Sequence, residues 1–179
     1  RQRQMCIRDS TWTTPMPNQT QPSESHHGSA LQGKIILVTG AASGIGRSVS
    51  MGLAEVGATA LILDKKSRHL ETLSDDIVDR GFTPPVILPV DLMSITPESA
   101  TALAQAIYDD FGKLDALLHN AAELGSPSPM DQYDMEYWNA VMQTNLHAPY
   151  LLTRALMPLL RQETAVSYTH LTLPTTLVV

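Results

Sequence analysis

The feature of this sequence that most constrains its fold is a glycine-rich stretch between two apolar segments. Residues 34–39 (KIILVT) form a short apolar run of the kind that is buried on both faces of a parallel sheet. Gly40, Gly44 and Gly46 follow, and apolar residues then recur at helical spacing over residues 44–56. A strand, a glycine-rich turn and a helix in this order predict the first unit of a parallel α/β fold.

The same alternation of strand and helix continues along the chain. The predicted strands are residues 59–63, 86–90 and 114–118, and the predicted helices are residues 68–80, 96–111 and 135–160. Four βα units of this kind predict a doubly wound parallel sheet with right-handed crossovers. Because the prediction stops after the fourth unit, we expect the fourth strand to form an open edge of the sheet.

The glycine positions suit the binding of a phosphate group. Where side chains are missing, a pyrophosphate can approach the backbone closely and rest on the positive end of the following helix. Asp64, at the end of the second strand, is placed to bind a ribose. Arg47 follows the last glycine, so the stretch is not the P-loop of a nucleoside triphosphatase. The alternative is an ordinary glycine-rich turn between a strand and a helix.

Residues 31–165 resemble the short-chain dehydrogenase/reductase family, whose loop reads Thr-Gly-x-x-x-Gly-x-Gly, as residues 39–46 do. Asp64, the pair Asp91-Leu92, the turn Asn120-Ala121-Ala122 and Asn145 also match in order, although Ala122 stands where the family usually has glycine. The resemblance implies a Rossmann fold that binds NAD or NADP. The cofactor-binding residues that it implies are Gly40, Ser43, Gly44, Ile45, Gly46, Asp64, Asp91, Leu92, Asn120, Ala121 and Ala122.

The resemblance gives several of these residues a role, and each has a structural alternative. Asp64 would bind the adenosine ribose and Asp91 the adenine, but both could be simple polar ends of strands. Asn120 could be a turn residue whose side chain holds neighbouring backbone. His119 is interpreted as a packed residue at a strand end, and Tyr133 with the nearby Tyr137 and Trp138 as packing or rim residues.

The choice between NAD and NADP depends on charge next to the ribose. Asp64 accepts hydrogen bonds from ribose hydroxyls and repels a 2′-phosphate, which favours NAD. Lys65 and Lys66 follow directly and reduce that repulsion. A weak preference for NAD is therefore expected.

The catalytic residues that the resemblance implies are missing from this sequence. The family places a serine after the next strand and then Tyr-x-x-x-Lys on the next helix, where the tyrosine transfers the proton. Here the last lysine is Lys113, and the residue four positions after Tyr168 is Thr172. Only Asn145 remains as a supporting catalytic residue, so these 179 residues are expected to be inactive. A non-catalytic dinucleotide-binding or regulatory protein is the alternative.

A second consequence of the sequence concerns Asn145 and Pro149. The proline has no N–H to donate to the carbonyl of Asn145, so the long helix should kink there. The resemblance implies that this carbonyl holds a water of the proton relay.

Composition excludes several other classes of protein. The net charge of -6 does not fit a nucleic-acid-binding surface. Cys6 is the only cysteine, which rules out an internal disulfide and favours a reducing, cytoplasmic location. No apolar run is long enough for a membrane helix, and the adjacent His26 and His27 lack partners for a metal. We expect a small-molecule substrate and, from the resemblance, a homodimer or homotetramer.

The two ends of the chain look foreign to the domain. Residues 1–15 and 166–179 resemble translated linker sequence, and residues 16–30 form a polar leader that we expect to be disordered. The predicted NAD(P)-binding domain, itself incomplete, covers residues 31–165.

Overall fold

One parallel sheet organises the part of the chain that this computed structural model describes, which is residues 30–161 and the backbone of residues 166–169. The strands are β1 (Ile35–Thr39), β2 (Thr59–Asp64), β3 (Val86–Pro89), β4 (Ala116–His119) and β5 (Val166–Thr169). Their order is β3-β2-β1-β4-β5, and all neighbouring strands are parallel. The predicted α/β class with a doubly wound sheet is confirmed.

Helices connect the strands as the alternating pattern predicts. They are α1 (Gly44–Glu55), α2 (Ser67–Asp79), α3 (Pro97–Phe111), α4 (Met135–Met142) and α5 (Ala148–Leu160), with a short 3₁₀ turn at Met130–Gln132. The last predicted helix is interrupted, because a π-helical turn at Gln143–His147 separates α4 from α5. No helix among the described residues combines the length and the apolar character needed to cross a membrane.

Two hydrophobic layers cover the two faces of the sheet. Alternate residues of a strand point to opposite faces, so Leu37 packs in one layer and Val38 in the other. The first layer holds α3 and α5, and the second holds α1 and α2. The central strand β1 is buried along its whole length, as the continuous apolar run predicts.

The buried face of α1 differs from the predicted one. Helical spacing of the larger apolar residues points to a face that begins with Ile45, but the Ile45 side chain is 63% exposed. The residues that α1 buries against the sheet include Gly46, Ser50 and Ala54, spaced four apart. Small residues allow the helix to lie close to the strands, and Met51 is the one large side chain among the buried residues of α1.

The expectation that β4 forms an open edge is wrong, because β5 pairs with β4 along the whole length of β4. The register runs from Ala116 opposite Val166 to His119 opposite Thr169. The strand is formed by residues of the predicted foreign tail, so hydrogen bonds of the sheet extend past the fourth βα unit. Residues 1–29, 162–165 and 170–179 lie outside the description, and with them the expectations for the leader and most of the tail.

Candidate functional site

A cleft of about 470 Å³ opens at the carboxyl ends of the strands. It lies where the strand order reverses, between the loop after β1 and the loop after β4. Doubly wound sheets bind ligands at this topological switch point. The predicted site residues that line the cleft are Gly40, Ser43, Ile45, Asp64, Asp91, Leu92, Asn120, Ala121 and Ala122. The other two, Gly44 and Gly46, form the first turn of α1.

The glycines of the loop after β1 are required for different reasons. Gly40 has a φ of 66°, and a Cβ there would lie 2.7 Å from the Cα of Ala121. A Cβ on Gly46 would lie 2.3 Å from the carbonyl oxygen of Gly40, a distance that no side chain can occupy. Gly44, with a φ of 53°, has open space around it. Two of the three glycines therefore permit close backbone contact, and the third permits a left-handed turn.

The N-terminus of α1 is suited to an anion. Ser43 is the N-cap residue, yet its side chain makes no capping hydrogen bond to the described helix, whose first turn contains no acidic residue. The first N–H groups of a helix have no partner within the helix, and the helix dipole makes this end positive. A pyrophosphate in the cleft would meet these N–H groups, so the residues present fit a dinucleotide.

Polar side chains join the loop after β1 to the loop after β4. The Thr39 hydroxyl accepts hydrogen bonds from the N–H groups of Asn120 (3.0 Å) and Ala121 (3.1 Å). In return, the Asn120 side-chain amide donates to the carbonyls of Thr39 (3.0 Å) and Gly40 (3.2 Å). Asn120 thus holds neighbouring backbone, the structural role considered for it from the sequence.

Asp64 holds backbone as well as lining the cleft. One carboxylate oxygen accepts a hydrogen bond from the N–H of Ala42 (3.2 Å) and the other from the N–H of Lys66 (3.0 Å). The carboxylate is therefore fixed against the glycine loop. Lys65 and Lys66 line the same end of the cleft, so both signs of charge are present there.

The loop after β3 is connected to the π-helical turn. Asp91 accepts a hydrogen bond from the N–H of Met93 (3.0 Å), which closes a tight turn. The side-chain amide of Gln143 donates to the carbonyl of Leu92 (3.3 Å), and the Thr144 hydroxyl contacts the sulfur of Met93 (3.3 Å). The loop that contains the predicted adenine-binding pair is thereby held by the π-helical turn.

Asn145 holds the loop after β4 with both atoms of its amide. Its oxygen accepts a hydrogen bond from the N–H of Glu123, and its nitrogen donates to the carbonyl of the same residue, each at 2.8 Å. The asparagine is only 8% exposed. The predicted role of its main-chain carbonyl toward a water stays a prediction, whereas its side chain is a positioning group for the loop.

The predicted interruption near Pro149 is found as the π-helical turn. The N–H of Ala148 donates to the carbonyl of Gln143, five residues earlier instead of four. Pro149 cannot donate to Asn145, and this loss favours the wider turn directly before it. The turn directs three consecutive side chains, Gln143, Thr144 and Asn145, to the loops of the cleft.

Replacement of Asn145 by alanine should destabilise the loop after β4. The substitution leaves the N–H and carbonyl of Glu123 without their partners, at a cost of about 2–3 kcal/mol in unfolding free energy. Urea unfolding measures this loss, and faster hydrogen exchange at the Glu123 amide locates it. Asn139→Ala, at an exposed position of α4, is the matched control. Equal stability of the two variants would contradict the positioning role.

His119 is a buried packing residue, as interpreted from the sequence. It is 5% exposed, and its Nε2 atom lies 2.8 Å from the Thr153 hydroxyl on α5. Burial lowers the pKa of the His119 imidazole from 6.5 to about 4, so the ring is neutral at neutral pH. The rings of Tyr133 and Trp138 meet edge to face at 6.5 Å, and Tyr137 and Trp138 are exposed, as expected of packing or rim residues.

Glu123, Met93 and Thr144 also line the cleft, and the sequence did not single them out. All three are adjacent to predicted residues: Glu123 to Ala122, Met93 to Leu92 and Thr144 to Asn145. The polar run from Gln143 to Asn145, within an otherwise apolar helical segment, was the sequence feature that could have indicated a contact with the site. In the described part of the chain, no group of three or more His, Cys, Asp or Glu side chains could hold a metal ion.

Comparison with known families identifies this arrangement. A family model described as short chain dehydrogenase matches residues 34–166, which is most of the chain. The chain belongs to the short chain dehydrogenase family. The resemblance carried by the glycine loop and the four later motifs is thereby confirmed.

Relatives of this short chain dehydrogenase include proteins of known structure. An uncharacterized oxidoreductase of Escherichia coli K12, YciK, is 39% identical over 135 residues, which is 75% of this chain and 54% of YciK. A Shigella flexneri 2a protein solved with NADP and an Escherichia coli CFT073 protein solved with NADPH are each 38% identical, with TM-scores of 0.75. Both alignments cover 78% of this chain, and 59% and 58% of those structures. The chain spans about half the length of the curated relatives it matches.

Proposed function

We propose that the cleft binds a nicotinamide dinucleotide, NAD or NADP, for an oxidoreductase that oxidises an alcohol or reduces a carbonyl of a small molecule. The observation that carries the proposal is the uncapped N-terminus of α1 at the topological switch point. The loop glycines and the carboxylate of Asp64 border the same cleft. The NADP and NADPH complexes of the two related structures support the same cofactor class.

Each part of the cofactor has candidate partners among the residues of the cleft. The first-turn N–H groups of α1, from Gly44 to Gly46, would hold the pyrophosphate, and Asp64 the adenosine ribose. The loop of Asp91 and Leu92 would contact the adenine. The Asn120–Ala122 turn would border the nicotinamide. When bound, the cofactor would accept a hydride from an alcohol or donate one to a carbonyl.

The Tyr-x-x-x-Lys spacing of the family does not occur in the 179 residues of this sequence. We therefore propose that these residues bind the cofactor without turning over substrate, and that the activity belongs to a protein that also contains the serine, tyrosine and lysine. Asn145 would have a supporting part in it. The missing Tyr-x-x-x-Lys favours one second candidate, a non-catalytic dinucleotide-binding or regulatory protein. Turnover of an alcohol by the 179-residue chain would contradict the first statement.

We propose that the protein forms a homodimer or homotetramer in the cytoplasm. The resemblance implies a homodimer or homotetramer, and Met135, Leu146 and Tyr150 on the last helical region are each more than half exposed. A cytoplasmic location is proposed because the single cysteine suits a reducing compartment. We propose that neither nucleic acid nor membrane is a partner.

Titration of the chain with NADH and NADPH tests the cofactor proposal. The charges at the ribose end predict a weak preference for NADH, because Asp64 repels the 2′-phosphate while Lys65 and Lys66 attract it. The double variant Lys65→Ala/Lys66→Ala should weaken NADPH binding about tenfold more than NADH binding.

Arg80→Ala, at an exposed position beyond the end of α2, is the control for lost positive charge. Equal or tighter binding of NADPH by the unmodified chain would refute the preference for NAD. If neither dinucleotide binds, the proposed function itself is wrong.

A further inference from the structure

Glu123 brings a negative charge to the cleft that the dinucleotide-binding roles leave unexplained. It lies in the loop after β4, its side chain is partly buried, and it lines the cleft together with Ala121 and Ala122. Its backbone N–H and carbonyl are both held by Asn145 at 2.8 Å. The carboxylate therefore projects from a fixed point of the chain instead of from a mobile loop.

The sheet order determines which end of a dinucleotide is next to this carboxylate. The pyrophosphate site is the N-terminus of α1, which follows the central strand β1. Asp64 follows β2, on one side of β1, and takes the adenosine ribose in the proposed function. The second nucleoside must then extend to the other side of β1, toward the loop after β4. Glu123 belongs to that loop, so it borders the nicotinamide end.

The charges that line the cleft are unevenly distributed. Among the described residues, the lysines that line it are Lys65 and Lys66, and both follow β2 at the adenosine end. The residues of the loop after β4 that line the cleft are Asn120, Ala121, Ala122 and Glu123. Glu123 is thus the charged member of this group, and the lysines lie at the far end.

We propose that Glu123 selects the oxidation state of the bound cofactor. The oxidised nicotinamide ring carries a positive charge and the reduced ring is neutral, whereas the rest of the molecule is the same in both forms. A carboxylate beside the ring attracts only the oxidised form. Glu123 therefore raises the affinity for NAD(P)⁺ relative to NAD(P)H, which lowers the reduction potential of the bound cofactor. The inference rests on the proposed function.

The test compares the two oxidation states in binding to the 179-residue chain. Isothermal titration with NADP⁺ and NADPH gives the ratio of their dissociation constants, in which effects on the shared phosphates and adenosine cancel. Glu123→Gln keeps the backbone hydrogen bonds to Asn145 and removes only the charge. We expect it to raise the ratio of the NADP⁺ to the NADPH dissociation constant about fivefold. The increase should shrink at 1 M salt, where the Debye length is about 3 Å.

Glu55→Gln is the matched control, because it removes the same charge at the opposite end of α1 from the cleft. In this control, the ratio of the NADP⁺ to the NADPH dissociation constant should equal that of the unmodified chain. An unchanged ratio in Glu123→Gln, with both cofactor forms still bound, overturns the inference and leaves the proposed function intact. Equal weakening of both forms also overturns it, because Glu123 would then only support the loop. Failure of the unmodified chain to bind either form rejects the proposed function and this inference together.

Discussion

Gly46→Ala is expected to reduce NAD(P) affinity about 100-fold and to lower the unfolding free energy by about 3 kcal/mol. A methyl group at this position would lie 2.3 Å from the Gly40 carbonyl oxygen and 2.4 Å from the Asn120 side-chain nitrogen. The first contact is backbone, so the loop after β1 must move away from α1. This movement displaces the pyrophosphate site and breaks the hydrogen bonds of Asn120.

Gly52→Ala provides a matched control within the same helix. A Cβ at Gly52 meets nothing within 4 Å, and alanine is the better helix former by about 1 kcal/mol. We therefore expect this variant to be slightly more stable than the unmodified chain and to bind the cofactor normally. Thermal melts and cofactor titrations of both variants give the comparison. Similar affinity in the two would show that the close contact of α1 with the glycine loop is dispensable.

Acidification from pH 6.5 to pH 4 is expected to cost the fold about 3 kcal/mol through His119 alone. The unfolded imidazole takes up a proton near pH 6.5, but burial lowers the pKa of the folded one to about 4. Between these values only the unfolded chain binds the proton, so stability falls as the pH falls. Above pH 6.5 both states are neutral, and below pH 4 both are protonated, so the contribution of His119 is constant in both ranges.

Urea unfolding at several pH values between 7.5 and 4.5 measures this effect. His119→Gln removes the titration while keeping a polar group near the Thr153 hydroxyl, so its stability should depend less on pH over this window. His69→Gln, at an exposed position of α2, should keep the steep dependence. A constant stability difference between His119→Gln and the unmodified chain at all pH values would disprove the effect.

Local patterns were sufficient to predict most of the fold. The N-cap at Thr96 and the left-handed Gly112 set the bounds of α3, because both ends of a helix are determined by a few neighbouring residues. The apolar runs predicted β1 to β4 within one or two residues at nearly every end. The predicted buried face of α1 was wrong, because the spacing of hydrophobic residues cannot show how close a helix lies to its sheet.

The candidate site was only partly predictable for a related reason. The glycine loop and Asp64 lie in short segments, and the spacing of residues within these segments was enough to predict the site. The pairing of Asn145 with the backbone of Glu123 joins the π-helical turn to a loop 22 residues earlier in the sequence, and no local pattern specifies it. The same holds for β5, whose pairing with β4 depends on the tertiary structure of the sheet.

The hydrogen bonds between the loops after β1 and β4 have a consequence for biosynthesis. The Asn120 amide reaches the Gly40 carbonyl across 80 residues of chain. At about 5–20 residues per second, the ribosome needs roughly 4–16 s to add that length. During this interval the nascent chain already contains the glycine loop but not the residues that hold it in shape. We therefore expect the proposed cofactor site to form only after the fourth strand and the turn that follows it have been made.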